Sequence, residues 1–587
     1  MAIKRYKADK TTTVVNAYQS NLRTRGTGAN TGKADVMEVF SIYGRVTTSS
    51  QELSRALVQF PISDVSTDRT AGTLPASGNV SFYLRLFNAE HSKTVPQDYT
   101  LTVLAISQSW QQGVGLDLEN YKDVTKGNDG ANWMSASNTS YWTDINDTLL
   151  AGGSYHTGSV NADVDTEIHT FTQTFSTGLE NMEIDITPLV EQWIDGTYSN
   201  YGVGIHMSAS YEAYISGTAN TVVKRIPGNL ALDDEDTTQS VIYNPSGSTK
   251  SYYTKRFFAS GSQYFFSRPI IEARWDSATK DDRGNFYYSS SLAPAADNLN
   301  TIYLYNYVRG QLTDIPQLHA GTFAKVVYVS IYSGSTGGFY AEQGGGDGDD
   351  VPPMDIPVSG SPLGTYGSIY NTGSVQVLSP DDSEHVAATA LTVVTGGIVS
   401  TGIYSASFAF TGSRLLETIY DVWFTGSNMT TNANDALVQY YTGTIKPITL
   451  RGSPTITKPV YYSTITNLKD KYRKDENARF NLYIRDKNWN PSIYTVANAV
   501  PDSTTVVSGA YRVFRVLDGY PAIPYGTGSD LHTQMSYDIS GSYFDVDMSL
   551  LEPGYAYAFK FSFYDSKLSS WIEQPGVFKF RVEDYEY

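Results

Sequence analysis

Tyr555-Ala556-Tyr557-Ala558-Phe559-Lys560-Phe561-Ser562-Phe563, close to the C-terminus, decides the fold class. Every second residue is aromatic, and a period of two puts Tyr555, Tyr557, Phe559, Phe561 and Phe563 on one side of a strand. Phe578, Phe580 and Val582 repeat the pattern just downstream. It recurs far upstream. Phe82, Leu84 and Leu86 share one face of Ser81 to Phe87, with Ser81, Tyr83 and Arg85 on the other. Ala56, Val58 and Phe60 alternate with Leu57 and Gln59, and Tyr303, Tyr305 and Tyr307 with Ile302, Leu304 and Asn306. Further strands are expected at Phe323 to Tyr332, Ile403 to Phe410 and Tyr420 to Phe424. Gly, Ser, Asn and Asp crowd the intervals, as in Gly364 to Ser368, which is turn chemistry. The reading is all-β.

Composition agrees. Of 587 residues 40% are apolar and 17% charged, enough to bury cores, and 45 are tyrosine. The formal net charge is −18, which repels phosphate backbones and argues against nucleic acid as a partner. There is no cysteine, so disulfides, thiolate metal sites and cysteine nucleophiles are excluded. Met1 to Tyr6 turns polar at once, and no run approaches the ~18 apolar residues of a membrane span. Neither a secretory signal nor membrane insertion is expected. One short helix stands out, with Thr187 as its cap, Pro188 in its first turn, Leu189, Val190 and Trp193 on one side, and Gly196 to close it. Acidic loops lie at Asp233 to Asp236 and Gly344 to Asp350, and domain boundaries are expected near residues 278 and 452.

The order of several motifs makes residues 1–277 resemble the DNRLRE-type jelly-roll β-sandwich domain. Ser54 to Phe60, with Arg55 and Phe60, resembles that family's early core strand. Ser107 to Gly113, with Trp110, is similar to its Ser-Trp-x-Glu-Gly turn, except that Gln112 stands where Glu is usual. Asp185 to Gly196 matches its helix, including Thr187 and Trp193, and Asn200 to Ile205, with Gly202, matches the strand that follows. Arg268 to Trp275, with Pro269 and Trp275, resembles its closing strand. Residues 452–587 resemble an immunoglobulin-like or fibronectin type III sandwich. There Leu551 to Tyr557, with Pro553 and Gly554, is similar to a tyrosine corner in which the Tyr557 hydroxyl bonds backbone upstream. Residues 278–451 read as a second immunoglobulin-like sandwich with a long Gly/Asp-rich insertion. Ala34 to Arg45, Gly113 to Trp133 and Arg268 to Phe286 also resemble virion-type sequences of marine tailed phages.

Reactive chemistry finds little footing. No two of the seven histidines stand at metal-ligand spacing, and no nucleophile elbow, Walker loop or dinucleotide fingerprint occurs. Asp117 and Glu119 are the candidate glycosidase carboxylates, read first as a solvated loop. Asp117, Glu119 and Asp123, or Asp233 to Asp236, are the oxygen-rich loops that a structural calcium would use; no other cofactor is expected. The tyrosine row of 303, 305 and 307 fits either a recognition surface or the polar-tipped face of a core.

The expectation is a non-enzymatic structural protein of a tailed-phage virion, in the tail and neck region in preference to the capsid surface. Its partners would be other virion proteins and copies of itself in a symmetric assembly. The alternative is a host-attachment module that binds surface glycans, and a third reading is a glycan-degrading enzyme.

Overall fold

The structure is a computed structural model. It describes residues 2–17, 26–43, 52–90, 95–116, 130–144, 146–156, 170–212, 251–290, 294–319, 326–333, 375–378, 393–412, 418–425, 438–448, 460–487 and 503–584. The chain forms two compact units. One is Met1–Asp276 with Thr527–His532; the other is Ser277–Gly526 with Thr533–Tyr587.

The first unit is a jelly-roll β-sandwich. Its strands are β1 (Ile3–Lys7), β2 (Lys10–Val15), β3 (Val36–Tyr43), β4 (Glu52–Gln59), β5 (Ser81–Leu86), β6 (Tyr99–Ala105), β7 (Thr170–Phe175), β8 (Met182–Asp185), β9 (Val203–Met207), β10 (Ser251–Phe258) and β11 (Ile270–Arg274). One sheet runs β1-β11-β5-β8, the other β10-β3-β4-β9-β6-β7 with β2 beside β4. Alternation places the apolar rows between them. Phe82, Leu84 and Leu86 of β5 and Ile271 and Ala273 of β11 meet Ala56 and Val58 of β4 and Leu101 and Val103 of β6. Residues 209–212 make a single helical turn after β9.

Two longer helices close the sandwich, α1 (Ile62–Thr70) and α2 (Thr187–Asp195). Leu189, Val190 and Trp193 of α2 are buried, and Gly196 ends it with φ 85°. Thr187 does not cap it. The cap position is Ile186, and the Thr187 hydroxyl instead accepts the Phe82 N–H at 2.7 Å. Asp185 takes the first free amide, accepting the Thr187 N–H at 2.9 Å and the Thr187 hydroxyl at 2.6 Å. A carboxylate at a helix start satisfies that donor and opposes the helix dipole, which leaves the threonine free to brace β5.

The second unit is also mainly β, with only short helical turns among its described residues. β12 (Asn300–Tyr305), β13 (Tyr307–Val308), β14 (Gln311–Leu312), β15 (Val326–Ser333), β16 (Val375–Leu378), β17 (Val394–Ser400), β18 (Ile403–Gly412), β19 (Ile419–Thr425) and β20 (Val438–Ile445) come first. Seven of them form one sheet, β12-β18-β17-β15-β19-β20 with β16 on β18, while β13 and β14 pair as a hairpin. Ile302, Val327, Val329, Phe408 and Trp423 share one cluster; Tyr328, Tyr332, Tyr420, Val422 and Phe424 form another. Alternate residues of β15 and β19 thus enter different clusters, so both faces of these strands are covered.

An immunoglobulin-like sandwich follows: β21 (Tyr461–Ile465), β22 (Lys471–Arg473), β23 (Asn477–Asp486), β24 (Gly509–Arg515), β25 (Pro521–Ile523), β26 (Ser536–Asp538), β27 (Gly541–Asp547), β28 (Ala556–Asp565), β29 (Ser570–Glu573) and β30 (Phe578–Glu583). Its sheets run β21-β23-β27-β26 and β22-β30-β28-β24-β25, with β29 on β28. The aromatic row of β28 supplies the core. Phe559 lies 4.7 Å from Phe480 and 4.6 Å from Phe580, ring centre to ring centre.

Candidate functional site

β4 is an interior strand, and its two rows meet different partners. Ala56 and Val58 enter the sandwich core, while Leu53 and Leu57 point the other way. That outer face would meet water in a bare sandwich. Here residues 106–116, 130–144 and 146–156 lie over it and bring Trp110, Trp133 and Trp142 onto Leu53 and Leu57. Two indole donors are satisfied on backbone: Trp110 Nε1 donates to the Tyr201 carbonyl, outside the cover, and Trp142 Nε1 to the Asn132 carbonyl within it, both at 2.8 Å. Glycines permit the close approach. A Cβ on Gly204 of β9 would stand 2.1 Å from the Tyr155 ring, and one on Gly32 would stand 2.1 Å from the Gln112 carbonyl oxygen.

Arg55 lies in the Leu53–Leu57 row and is buried under this cover. Its Nε and Nη2 reach the two carboxylate oxygens of Glu212 at 3.0 and 2.7 Å, and Nη1 donates to the Gly152 carbonyl at 3.0 Å. The guanidinium also lies 5.5 Å from the Trp133 ring centre and 5.7 Å from that of Tyr155. Burial alone would lower its pKa, but Glu212 more than offsets that and raises it, so the charge is permanent. His206 on β9 completes the group. Its Nδ1 is 2.7 Å from the Met207 carbonyl and 3.8 Å from Glu212. Burial lowers its pKa, with Arg55 adding to the effect against Glu212. A forked guanidinium on a carboxylate, with a neutral imidazole held on backbone, is suited to bracing and poorly suited to moving protons.

A second charged group occupies the outer row of the smaller sheet. Glu272 on β11 is 0% exposed and accepts from Arg5 Nε at 2.6 Å, Arg85 Nη1 at 2.8 Å and Arg274 Nε at 2.8 Å. Glu183 on β8 accepts from Arg274 at 2.7 Å and pairs with Arg85 at 3.3 Å. Asp530, which belongs to the same unit, lies 3.7 Å from Arg274. Burial would raise the Glu272 carboxyl, but Arg85, Arg5 and Arg274 together hold it well below the usual range. Lys255 on β10 is a third such group. Buried, it donates to Asn88 Oδ1 and to the Gly178 and Glu180 carbonyls at 2.7–2.8 Å, and burial lowers it to about 8.

The remaining motif residues are placed as follows. Phe60 lies in the core and accepts the Asn200 side-chain amide on its carbonyl at 2.7 Å. Gly202 has φ 83°, and a Cβ there would stand 2.0 Å from the Val58 carbonyl oxygen. The Pro269 carbonyl accepts the Ala8 N–H, and the backbone N–H of buried Trp275 donates to the Ala2 carbonyl. Gly554, at φ 90°, donates its N–H to the Val582 carbonyl, one residue after Pro553. The Tyr557 hydroxyl donates to the Glu552 carbonyl at 2.9 Å. Arg55 is brought into a polar group, whereas Thr187, Trp193 and Tyr557 serve packing and backbone. Glu212, Glu272 and Lys255 were not singled out from the sequence. A carboxylate between Ile271 and Ala273 was the available signal for Glu272.

The tyrosine row is not a core face, because Ile302 and Leu304 occupy the core. Tyr303 and Tyr305 stack 6.1 Å apart on the opposite side and are half-buried, while Tyr307 is exposed. Burial raises the Tyr305 phenol, with Tyr543 and Asp281 adding to the shift. The immunoglobulin-like part of this unit lies alongside: Tyr537 donates to Asp282 Oδ1 at 2.7 Å, and Asp281 N–H to the Tyr537 carbonyl at 3.0 Å. Asp117, Glu119, Asp123, Asp233 to Asp236 and Gly344 to Asp350 lie outside the described residues. Among the described residues, no three of His, Asp and Glu group as metal ligands would. No helix among them is long and apolar enough to cross a membrane.

No family model matches this chain, and no curated protein does. Among solved structures, Salmonella alpha-2-macroglobulin reacted with methylamine is similar over 99% of this chain at 8% identity and a TM-score of 0.14. This chain spans 34% of that one, and a likeness so slight carries no argument about function.

Proposed function

We propose that the protein is a non-enzymatic structural component of a tailed-phage particle, in the tail or neck region, that holds neighbouring virion proteins through β-sandwich surfaces. The observation that supports this most is the use made of buried charge. Arg55, Glu272 and Asp421 are each spent on fixed internal ion pairs, with Glu212, with three arginines and with Arg283. Such pairs favour one arrangement of strands at a desolvation cost, which suits a part that must keep its shape. Immunogold labelling of purified particles tests the reading. Label at the neck or tail is expected, and particles without label would overturn it.

A second reading, a host-attachment module, draws on one surface feature. Tyr264 and Phe265 are 55% and 46% exposed, with Lys7 Nζ 3.3 Å from the Phe265 ring centre and Arg268 at 5.5 Å. Exposed rings beside cations suit stacking on acidic sugars. A glycan array answers it, since no retained sugar would end that reading.

A further inference from the structure

We propose that β7 is a self-pairing edge, through which two copies of this chain join by antiparallel contact of their Thr170–Phe175 strands. Among the described residues the main paths of the first unit's sheets end in β1 and β8 on one and β10 and β7 on the other, with β2, which carries Lys10, branching off β4. Three of these path ends carry charge. β1 has Lys4, Arg5 and Lys7, β8 has Glu183 and Asp185, and β10 has Lys255 and Arg256. Charges on an edge strand oppose pairing with another chain. β7, Thr-Phe-Thr-Gln-Thr-Phe, has neither charge nor proline. Among the described residues its neighbour in the sheet is β6 alone.

Charge and register fit a second copy as the occupant. A chain with net charge −18 repels its own copies, so self-association needs a stretch where that repulsion is absent. β7 is such a stretch, and its outward row, Thr170, Thr172 and Thr174, is exposed and β-branched. A two-fold axis beside Gln173 sets Thr172 opposite Thr174 of the second copy and Phe171 opposite its Phe175. The threonine pair is a favourable cross-strand pair, while Phe175 stays buried in its own core, and the contact closes as an isologous dimer. The seven-stranded sheet would then continue across both copies. This rests on the structural reading for its choice of a second copy as partner. The two fail separately, because absence of label on particles leaves a dimer standing, and a monomer leaves a labelled particle standing.

The test uses the full chain in sedimentation velocity and hydrogen–deuterium exchange over a concentration series. A dimer is expected, with amides 171–175 gaining protection as concentration rises. Thr172→Lys and Thr174→Lys place charge on exposed positions, so both should melt as the parent does yet sediment as monomers. A parent that is monomeric throughout, or a dimer that survives both substitutions, overturns the proposal. So does protection of these amides that is independent of concentration, since the chain's own residues would then cover the edge. Should either variant fail to fold, the exchange series on the parent decides by itself.

Discussion

Replacing Glu272 by Gln keeps the shape of a fully buried side chain and removes its charge. Around it stand three guanidiniums, Arg5, Arg85 and Arg274, balanced by the carboxylates of Glu272, Glu183 and Asp530. The substitution leaves one positive charge uncompensated, with Arg85 and Arg274 almost fully buried. Breaking a buried pair by removing one partner costs about 3–5 kcal/mol. That is a roughly hundred- to several-thousand-fold rise in the opening equilibrium of this sheet. Exchange at the β5 and β11 amides reads that equilibrium directly, and urea unfolding reads the unit as a whole. The pH dependence makes the test sharper. A carboxyl whose folded pKa is depressed contributes stability above its unfolded pKa of about 4.3, and loses it as pH falls toward the folded value. The gap between parent and Glu272→Gln should therefore be widest near neutrality and shrink below about pH 4. A loss under about 1 kcal/mol at neutral pH, or one that does not vary with pH, would refute the reasoning, since exposed pairs behave that way.

Tyr557→Phe removes the bond to the Glu552 carbonyl and should cost about 1 kcal/mol in urea unfolding of the immunoglobulin-like sandwich, without altering its circular dichroism. Gly204→Ala would drive a methyl to 2.1 Å from the Tyr155 ring; overpacking of about 1–3 kcal/mol is expected in a thermal melt, and Tyr155→Ala should restore part of it. Burial raises the Asp281 carboxyl to about 6 from an ordinary 3.8, so the fold favours its protonated form. Stability should then fall as pH rises from about 4 to 6, by ~3 kcal/mol, and Asp281→Asn should flatten that slope in urea midpoints taken across the range.

Alternation was legible wherever one face of a strand is apolar and the other polar. Phe82, Leu84 and Leu86 stand in the core, with Arg85 in the opposite row, as a period of two requires. For β4 it gave the core row, Ala56, Val58 and Phe60, but not that Leu53 and Leu57 on the other side meet a tryptophan-lined cover supplied by residues more than fifty positions downstream. Period two says which residues share a side and is silent on what covers it. The tyrosine row shows the same limit, because tyrosine suits both a core and a packed outer face. The helix ending at Gly196 was readable, but its cap was not: Asp185 and Thr187 are both good capping residues, and the choice turned on the Phe82 N–H, which is remote in sequence. Arg55 was singled out from a motif, yet its partner Glu212 lies 157 residues away and no local pattern points to it.

The buried charges also explain how sheets so rich in Thr, Ser and Tyr keep their register. A slip of one residue exchanges the two faces of a strand, and the penalty is small when both faces are of middling polarity. In the smaller sheet Arg5 stands directly opposite Glu272, and Arg85 directly opposite Glu183. A diagonal bond from Arg85 to Glu272, a bond along β11 from Arg274 to Glu272, and the Arg274–Glu183 pair tie these rows into one network across four strands. Slipping β11 by one residue would carry Glu272 and Arg274 into the row now held by Ile271 and Ala273, against Phe82 and Leu84. Burying those charges among apolar side chains costs several kcal/mol each. The network therefore contributes less through its net attraction than through the alternatives it makes too costly. By that argument, exchanging Glu272 and its three arginines together for apolar residues of like volume would lose register before it lost stability. Exchange protection across β1, β5 and β11 would become uneven while the melting temperature held.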